Sequence, residues 1–420
     1  MSSECDRFLA AADRIGRRLC RDALWSGGRC NWLGWSMDFR GGQWITAYRA
    51  MGGILYDGTA GIALFLARLA RLTGESITRT TAAGALAHAL EAGDRLAASG
   101  DYGFYAGLAG IARTCVELGP LIDHCGLAER GSAELRRAAG MPPDRARLDL
   151  INGSAGLIPV LLEAAARDRR DEFLALAIAH GQHLLEQAIR SDAGCSWDTL
   201  GVPNQPPLLG YAHGACGIAC ALAALARATG RQDFAETALE AGRYERSHFV
   251  PSQKNWPDLR NFVPARPDGE PVCMTAWCHG APGIGIARLL LHRLFPDDPA
   301  ILDEAETAVG TTAATLMHSP ASGIGNCSLC HGDFGNADLL LVAADMLGRA
   351  ELRQQAEAAA LRALDRFEEA GMPWPCGVLG AGETPNLLLG LAGIGYFLLR
   401  LHDSKAVPSV LMPVPPPAVE

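Results

Sequence analysis

The sequence predicts an all-α protein, a two-layer α/α toroid (barrel) built of seven helical hairpins. Three observations point there: one short glycine phrase recurs seven times, each copy opens an apolar helix, and the stretches between copies are amphipathic with a helical period.

The phrase is two glycines three residues apart followed by an apolar run, and its copies begin at Gly58, Gly107, Gly153, Gly214, Gly280, Gly332 and Gly390. That spacing leaves room in each unit for an inner helix, a loop and an outer helix. A helix that is apolar all round belongs in an interior, so these are the inner helices. Residues 170–190, 231–249 and 352–369 carry charge along one face and read as outer helices. Closing the hairpins into a ring buries every inner face, whereas an open solenoid, the competing arrangement, leaves two ends to be capped. In a ring the glycine turns converge on one central cavity. In an alternative reading, the glycine pairs merely let helices approach closely.

The first 22 residues read as an amphipathic helix and lack the basic end and apolar run of a signal peptide. Loops rich in Pro, Gly and Asp at 140–144, 201–207, 251–271 and 371–382 are too short or too apolar for domain linkers. Residues 1–410 are therefore expected to form a single domain, with 411–420 a Pro-rich tail that cannot be helical.

The 420 residues are 49% hydrophobic and 20% charged, with a formal net charge of −9 and no run of Lys or Arg, which argues against a nucleic-acid partner. Apolar stretches such as 61–72 contain Arg68 and Arg71 and are too short to span a bilayer. A cytoplasmic location is expected. Thirteen cysteines in a reducing compartment disfavour a disulfide framework. Cys5, Cys20, Cys115, Cys216 and Cys220 lie in apolar helical patterns and read as packing residues.

Three of the seven phrases carry metal-ligand residue types just before the glycine: Tyr211-Ala212-His213-Gly214, Trp277-Cys278-His279-Gly280 and Leu329-Cys330-His331-Gly332. If the turns share one cavity, Cys278, Cys330 and His331 bring two sulfurs and an imidazole together. Zinc suits that set, and three protein ligands leave a fourth position open, as in catalytic rather than structural sites. The plainer alternative is a set of ordinary buried thiols. Cys327 forms a Cys-x-x-Cys with Cys330 but has no second pair and no βαβ setting, so it is set aside. His213 and His279 sit on the same turns and suit acid–base work at neutral pH, or are simple loop residues. Asp149, at the mouth of the third repeat, reads either as a carboxylate on a helix dipole or as a member of the site.

These phrases resemble the lanthionine synthetase C-like (LanC-like) cyclase family, from about Leu55 to Leu401. Trp277-Cys278-His279-Gly280 and Cys330-His331-Gly332 match its zinc motifs, and His213-Gly214 its third signature. Tyr244-Glu245-Arg246-Ser247, the run from Asn255 to Arg260 and Leu55-Tyr56-Asp57-Gly58 look like the cyclase half of class II lanthipeptide synthetases. The resemblance implies an α/α toroid around a central zinc held by Cys278, Cys330 and His331. It implies His213 as the acid that protonates an enolate and Asp149 as a helper carboxylate. It also implies a dehydrated precursor peptide as substrate, whose cysteine thiolates add to dehydroalanine or dehydrobutyrine to give thioether rings, with dehydration left to a separate dehydratase. Class I cyclases have Arg four residues before the first zinc cysteine and Tyr directly after it; here Met274 and His279 stand there. Two further readings are addition of glutathione or another small thiol to dehydroamino acids, and a non-catalytic zinc-stabilised peptide-binding scaffold.

Overall fold

The computed structural model describes residues 2–40, 43–260, 266–267, 269–322 and 325–413. Its inner layer holds α2 (Thr59–Thr73), α5 (Leu108–Leu118), α7 (Ser154–Asp168), α9 (Ala215–Thr229), α11 (Ala281–Leu294), α13 (Asp333–Leu347) and α15 (Leu391–His402). Its outer layer holds α1 (Ser2–Asp22), α3 (Ser76–Leu90), α6 (Cys125–Ala139), α8 (Asp171–Glu186), α10 (Gln232–Arg246), α12 (Pro299–Ser322) and α14 (Ala350–Ala363). A short α4 (Gly93–Ala98) follows α3.

Sequence character decides the layer. In α2 every residue from Thr59 to Ala67 is buried, whereas α10 buries one face through Phe234, Thr237, Ala238 and Ala241. Each inner helix packs on the next, and α15 packs back on α2, so the inner layer closes on itself. Six inner helices are covered by the outer helix that follows them in sequence. The seventh, α15, has no helix after it among the described residues. It is covered by α1 from the other end of the chain, through buried Phe8, Ala11, Ala12, Ile15 and Leu19. Closure thus joins the two ends of the chain: an apolar helix left bare on its outer side would expose a hydrophobic flank, and the N-terminal helix removes it from water.

The residue two before each first glycine lies on a belt of backbone hydrogen bonds between repeats. Tyr56 N–H donates to the Tyr105 carbonyl at 2.9 Å, Tyr105 to Ile151 at 3.0 Å, Cys278 to Cys330 at 3.4 Å, Cys330 to Leu388 at 2.9 Å and Leu388 back to Tyr56 at 2.9 Å. One residue further out, Leu150 N–H bonds Ala212 at 3.2 Å. The second glycine of the phrase serves this belt rather than helix–helix approach. In the sixth repeat a Cβ on Gly335 would lie 1.9 Å from the Leu329 carbonyl oxygen, so only glycine lets the incoming chain press onto the first turn of the helix.

Two departures from an all-α chain have local causes. Among the described residues there are three antiparallel two-stranded hairpins: β1 (Leu24–Ser26) with β2 (Arg29–Asn31), β3 (Leu33–Arg40) with β4 (Gln43–Ala50), and β5 (Ile189–Ser191) with β6 (Gly194–Ser196). In β3 large apolar residues alternate with small or polar ones, and β4 is rich in aromatic and β-branched residues, a pattern that suits a strand better than a helix. The outer helix expected over 170–190 stops at Glu186, and its last residues enter β5. At the other end the chain stays in the core past residue 410: Leu411 is buried, its carbonyl accepts from Trp277 Nε1 at 3.0 Å, and Tyr105 Oη donates to the Val410 carbonyl at 2.7 Å. Residues 414–420 of the expected tail lie outside the described residues. No helix among the described residues is long and apolar enough to cross a membrane.

Candidate metal centre

The belt carries Cys278 and Cys330 at equivalent positions on adjacent repeats, with His331 directly after Cys330. Their ligand atoms all lie within 4.8 Å of one another. The backbone bond from Cys278 to Cys330 holds the two sulfurs on one side of the ring. Cys330 is held below the ordinary thiol range, first by the hydrogen bond from the Cys278 thiol and then, against burial, by the Tyr56 hydroxyl and the charge of Arg260. Cys278, the donor of that bond, is pushed up by it and by burial. Two thiols that share a proton in this way are a soft donor pair from which a binding metal ion would displace that proton to solvent.

The supporting groups are equally specific. Tyr56 Oη donates to Cys330 Sγ at 3.0 Å. His331 Nε2 lies 2.8 Å from the Gly377 carbonyl, so Nε2 carries the proton and Nδ1 keeps the lone pair. A Cβ on residue 377 would come within 2.9 Å of that Nε2, which is why glycine stands there. Gly280 adopts φ 93, a conformation that favours glycine, and any Cβ on it would lie 1.8 Å from the Met274 carbonyl oxygen. The donor set, its spacing and its outer hydrogen bonds therefore fit a zinc ion.

Beside this cluster, His213 Nδ1 lies 2.6 Å from Asp149 Oδ2. Asp149 is buried and its other oxygen accepts the amides of Ile151 at 3.1 Å and Asn152 at 2.9 Å. It lies ahead of α7, and its carboxylate is spent on the turn and on His213. Thr199 Oγ1 donates to the His213 carbonyl at 2.6 Å and fixes the backbone of the turn. Burial alone would lower the His213 pKa, but the adjacent Asp149 carboxylate outweighs it and raises the value above 6.5. With 33% of its side chain exposed, the ring is open to a reactant.

His279, expected alongside His213 as an acid–base residue, is placed differently. It is buried, and burial together with the Arg260 charge lowers its pKa to about 3, with a hydrogen bond to the Leu209 backbone opposing. It is neutral at pH 7 and stacks on the His213 ring, centroids 6.4 Å apart. Of the two imidazoles, His213 is the one paired with a carboxylate and partly exposed, while His279 is buried.

Sequence reasoning met Tyr56, Asp258 and Arg260 only inside runs that resemble class II cyclases and gave them no role at the site, and it did not mention Gly377. Tyr56 was findable, because it occupies in the first repeat the place that Cys278 and Cys330 occupy in theirs. Arg260 and Gly377 come from loops outside the repeat, so neither is part of the periodic pattern, and the run ending at Arg260 carried only a resemblance. Arg260 Nε bonds Asp258 at 2.9 and 3.0 Å, and its Nη2 lies 3.7 Å from Met274 Sδ. Cys327 is buried outside the cluster, with its amide donating to the Pro375 carbonyl at 2.8 Å.

Comparison with known proteins agrees with this architecture. The solved structure named "Nisin cyclase" superposes with a TM-score of 0.63 at 18% identity, covering 86% of this chain and 91% of that one. A GH76 α-mannanase from Bacteroides thetaiotaomicron also matches, with TM-score 0.48 at 11% identity and 96% of each chain covered. An unsaturated glucuronyl hydrolase from Bacillus sp. GL1 gives 0.41 at 18% identity, covering 74% of this chain and 84% of that one. At that level the two hydrolases carry no argument about the site. The family described as "Lanthionine synthetase C-like protein" matches residues 50–412, which take in the seven glycine phrases and the whole cluster of Cys278, Cys330, His331 and His213; the chain belongs to that family.

Proposed function

We propose that the protein is a zinc-dependent lanthipeptide cyclase that adds cysteine thiolates of a dehydrated precursor peptide to dehydroalanine or dehydrobutyrine, forming lanthionine or methyllanthionine rings. In this reading the seven inner helices surround a central zinc, and a separate dehydratase supplies the substrate in the cytoplasm. The observation that carries it is the convergence of Cys278, Cys330 and His331 within 4.8 Å beside the His213–Asp149 pair.

Cys278, Cys330 and His331 would hold the metal, leaving a fourth position. When bound, zinc would supply one thing, the acidity that turns a substrate cysteine thiol, a group with a pKa near ~8.5 in water, into a thiolate whose proton leaves to water. The chain's own residues do the rest. Tyr56 and Gly377 fix the directions of Cys330 and His331. The substrate sulfur forms a bond to the β-carbon of the dehydroamino acid, and the alkene pair moves toward the α-carbon. His213, protonated because Asp149 holds its Nδ1–H, gives the Nε2 proton to the α-carbon. Asp149 then stabilises the ring until it regains a proton from water. In sum, S–H and C=C become C–S and C–H.

The test is mass spectrometry of a dehydrated, cysteine-containing peptide before and after exposure to the zinc-loaded protein, with alkylation counting free thiols. The expected result is unchanged peptide mass with one alkylatable thiol lost per ring. A gain of one glutathione mass in a parallel arm with glutathione, without ring closure, would favour small-thiol addition. Zinc bound with no turnover in either arm would leave a binding scaffold.

A further inference from the structure

Cys330 and His331 are neighbours on one turn, but Cys278 comes from a separate loop, so a three-ligand set needs that loop held at a fixed distance from theirs. The loop is tight. Thr275 and Gly280 form an isolated antiparallel bridge, the Ala276 amide donates to the His279 carbonyl at 3.1 Å, and Cys278 lies in the turn between them. The direct backbone bond from Cys278 to Cys330 is long, at 3.4 Å, and constrains the spacing only weakly.

Two buried asparagines, each 3% exposed, supply the rest of the support. Asn255, in the loop after α10, meets both ends of the Cys278 loop. Its Nδ2 donates to the Met274 carbonyl at 3.0 Å, and its Oδ1 accepts the Ala281 amide at 2.8 Å and the Trp256 amide at 2.8 Å. A Cβ on Gly280 would lie 3.2 Å from that Oδ1, so the clasp fits closely against the glycine turn. Asn336, in the first turn of α13, reaches across from the next repeat, and its Nδ2 donates to the Thr275 carbonyl at 3.0 Å. Because α13 begins at Asp333, two residues after His331, this bond ties the Cys278 loop to the repeat that carries the other two ligands. A carboxamide suits both places: it offers a donor and an acceptor side by side and brings no charge whose burial must be offset.

We propose that Asn255 and Asn336 are positioning residues for the metal centre. Asn255 closes the neck of the Cys278 loop, Asn336 sets its distance from Cys330 and His331, and together they decide how tightly the three ligands hold zinc. The inference rests on the zinc reading of the site. Both side chains act through the backbone of the loop and neither is a ligand.

The test loads the full chain with zinc and withdraws the metal with a chromophoric chelator, comparing Asn255→Asp, Asn336→Leu and the double variant with the unmodified protein. Cobalt in place of zinc reports the ligand geometry through its absorption bands. Asn255→Asp keeps the acceptor for Ala281 and turns an oxygen on the Met274 carbonyl; Asn336→Leu keeps the volume and loses the donor. Each is expected to weaken zinc binding ~10- to 100-fold, the range typical of removing an outer support of a metal ligand, and to shift the cobalt bands. Affinities are read where every variant is folded, and denaturant midpoints are measured separately. A lowered midpoint with zinc affinity and cobalt bands equal to those of the unmodified protein overturns the proposal and leaves the two asparagines as ordinary core residues. Asn255→Ser and Asn336→Ser replace any variant that does not fold, with the same outcomes. If the unmodified protein itself binds no zinc, the metal reading has failed and this inference with it.

Discussion

His213, His279 and His331 occupy the same place in three successive repeats, one residue before the first glycine, and their rings end in three different chemical states. His331 donates a hydrogen bond from Nε2 to the Gly377 carbonyl and stands within 4.8 Å of two sulfurs. His213 is paired with a buried carboxylate and kept protonated above the ordinary histidine range. His279 is sealed in and kept neutral. Repeat position delivers each ring to the centre, but what each can do is decided by groups from elsewhere: Gly377 from the last loop, Asp149 from the third repeat, and Arg260 from the loop after α10. Equivalent sequence places are therefore not equivalent sites.

That contrast is open to direct attack. The largest effect is expected at the sulfurs: Cys278→Ala or Cys330→Ala should abolish stoichiometric zinc and cut cyclisation by more than the ~100-fold typical of mutating an outer partner of a metal ligand. Metal analysis alongside the peptide assay reads both, and an active zinc-free variant would end the metal reading.

Next comes the proton donor. His213→Asn should retain zinc and slow ring closure ~10²- to 10⁴-fold. Because Asp149 raises the His213 pKa above 6.5, the acid form persists into neutral pH and activity declines as pH rises through the raised value. Asp149→Asn removes the carboxylate and leaves burial in charge, so the alkaline limb of the rate profile should move to lower pH. An unmoved limb would separate the pair from catalysis.

His279 should behave as a structural residue. His279→Gln is expected to cost about 1–3 kcal/mol through its buried hydrogen bond while leaving the pH limbs of activity in place. The sign of its own linkage follows from a folded pKa of about 3 against 6.5 when exposed: between those values the unfolded chain binds the extra proton, so stability falls as pH drops below 6.5. Buried His180, lowered to about 4, adds in the same direction. Urea titrations of the unmodified protein and the variant at several pH values measure this, and a slope untouched by His279→Gln would contradict the assignment.

Smallest of all should be Cys327→Ala, with zinc content and cyclisation unchanged and a stability loss of about 1 kcal/mol by denaturant midpoint. A loss of zinc there would mean that the Cys-x-x-Cys spacing matters after all.

Much of this was legible in one dimension because repetition turns long-range geometry into a local pattern. Seven copies of one phrase announce the inner helices, and the chemistry-bearing copies stand out against the plain ones. The β3–β4 hairpin was missed because seven helical repeats set the period sought everywhere else, although its own alternation was visible. The outer cover of α15 was missed because its partner lies at the opposite end of the chain.

By itself the sequence determined which helices are buried, where the glycine turns fall and which repeats carry thiols and imidazoles, since these follow from side-chain character and spacing along one strand of chain. Only the tertiary structure decided that α1 completes the outer layer, that Tyr56 and Gly377 bond to Cys330 and His331, and that Asp149 and Arg260 set the charge around His213 and His279. Those are contacts between segments far apart in sequence, and Coulombic forces and hydrogen bonds depend on distance in space, for which separation along the chain is no guide.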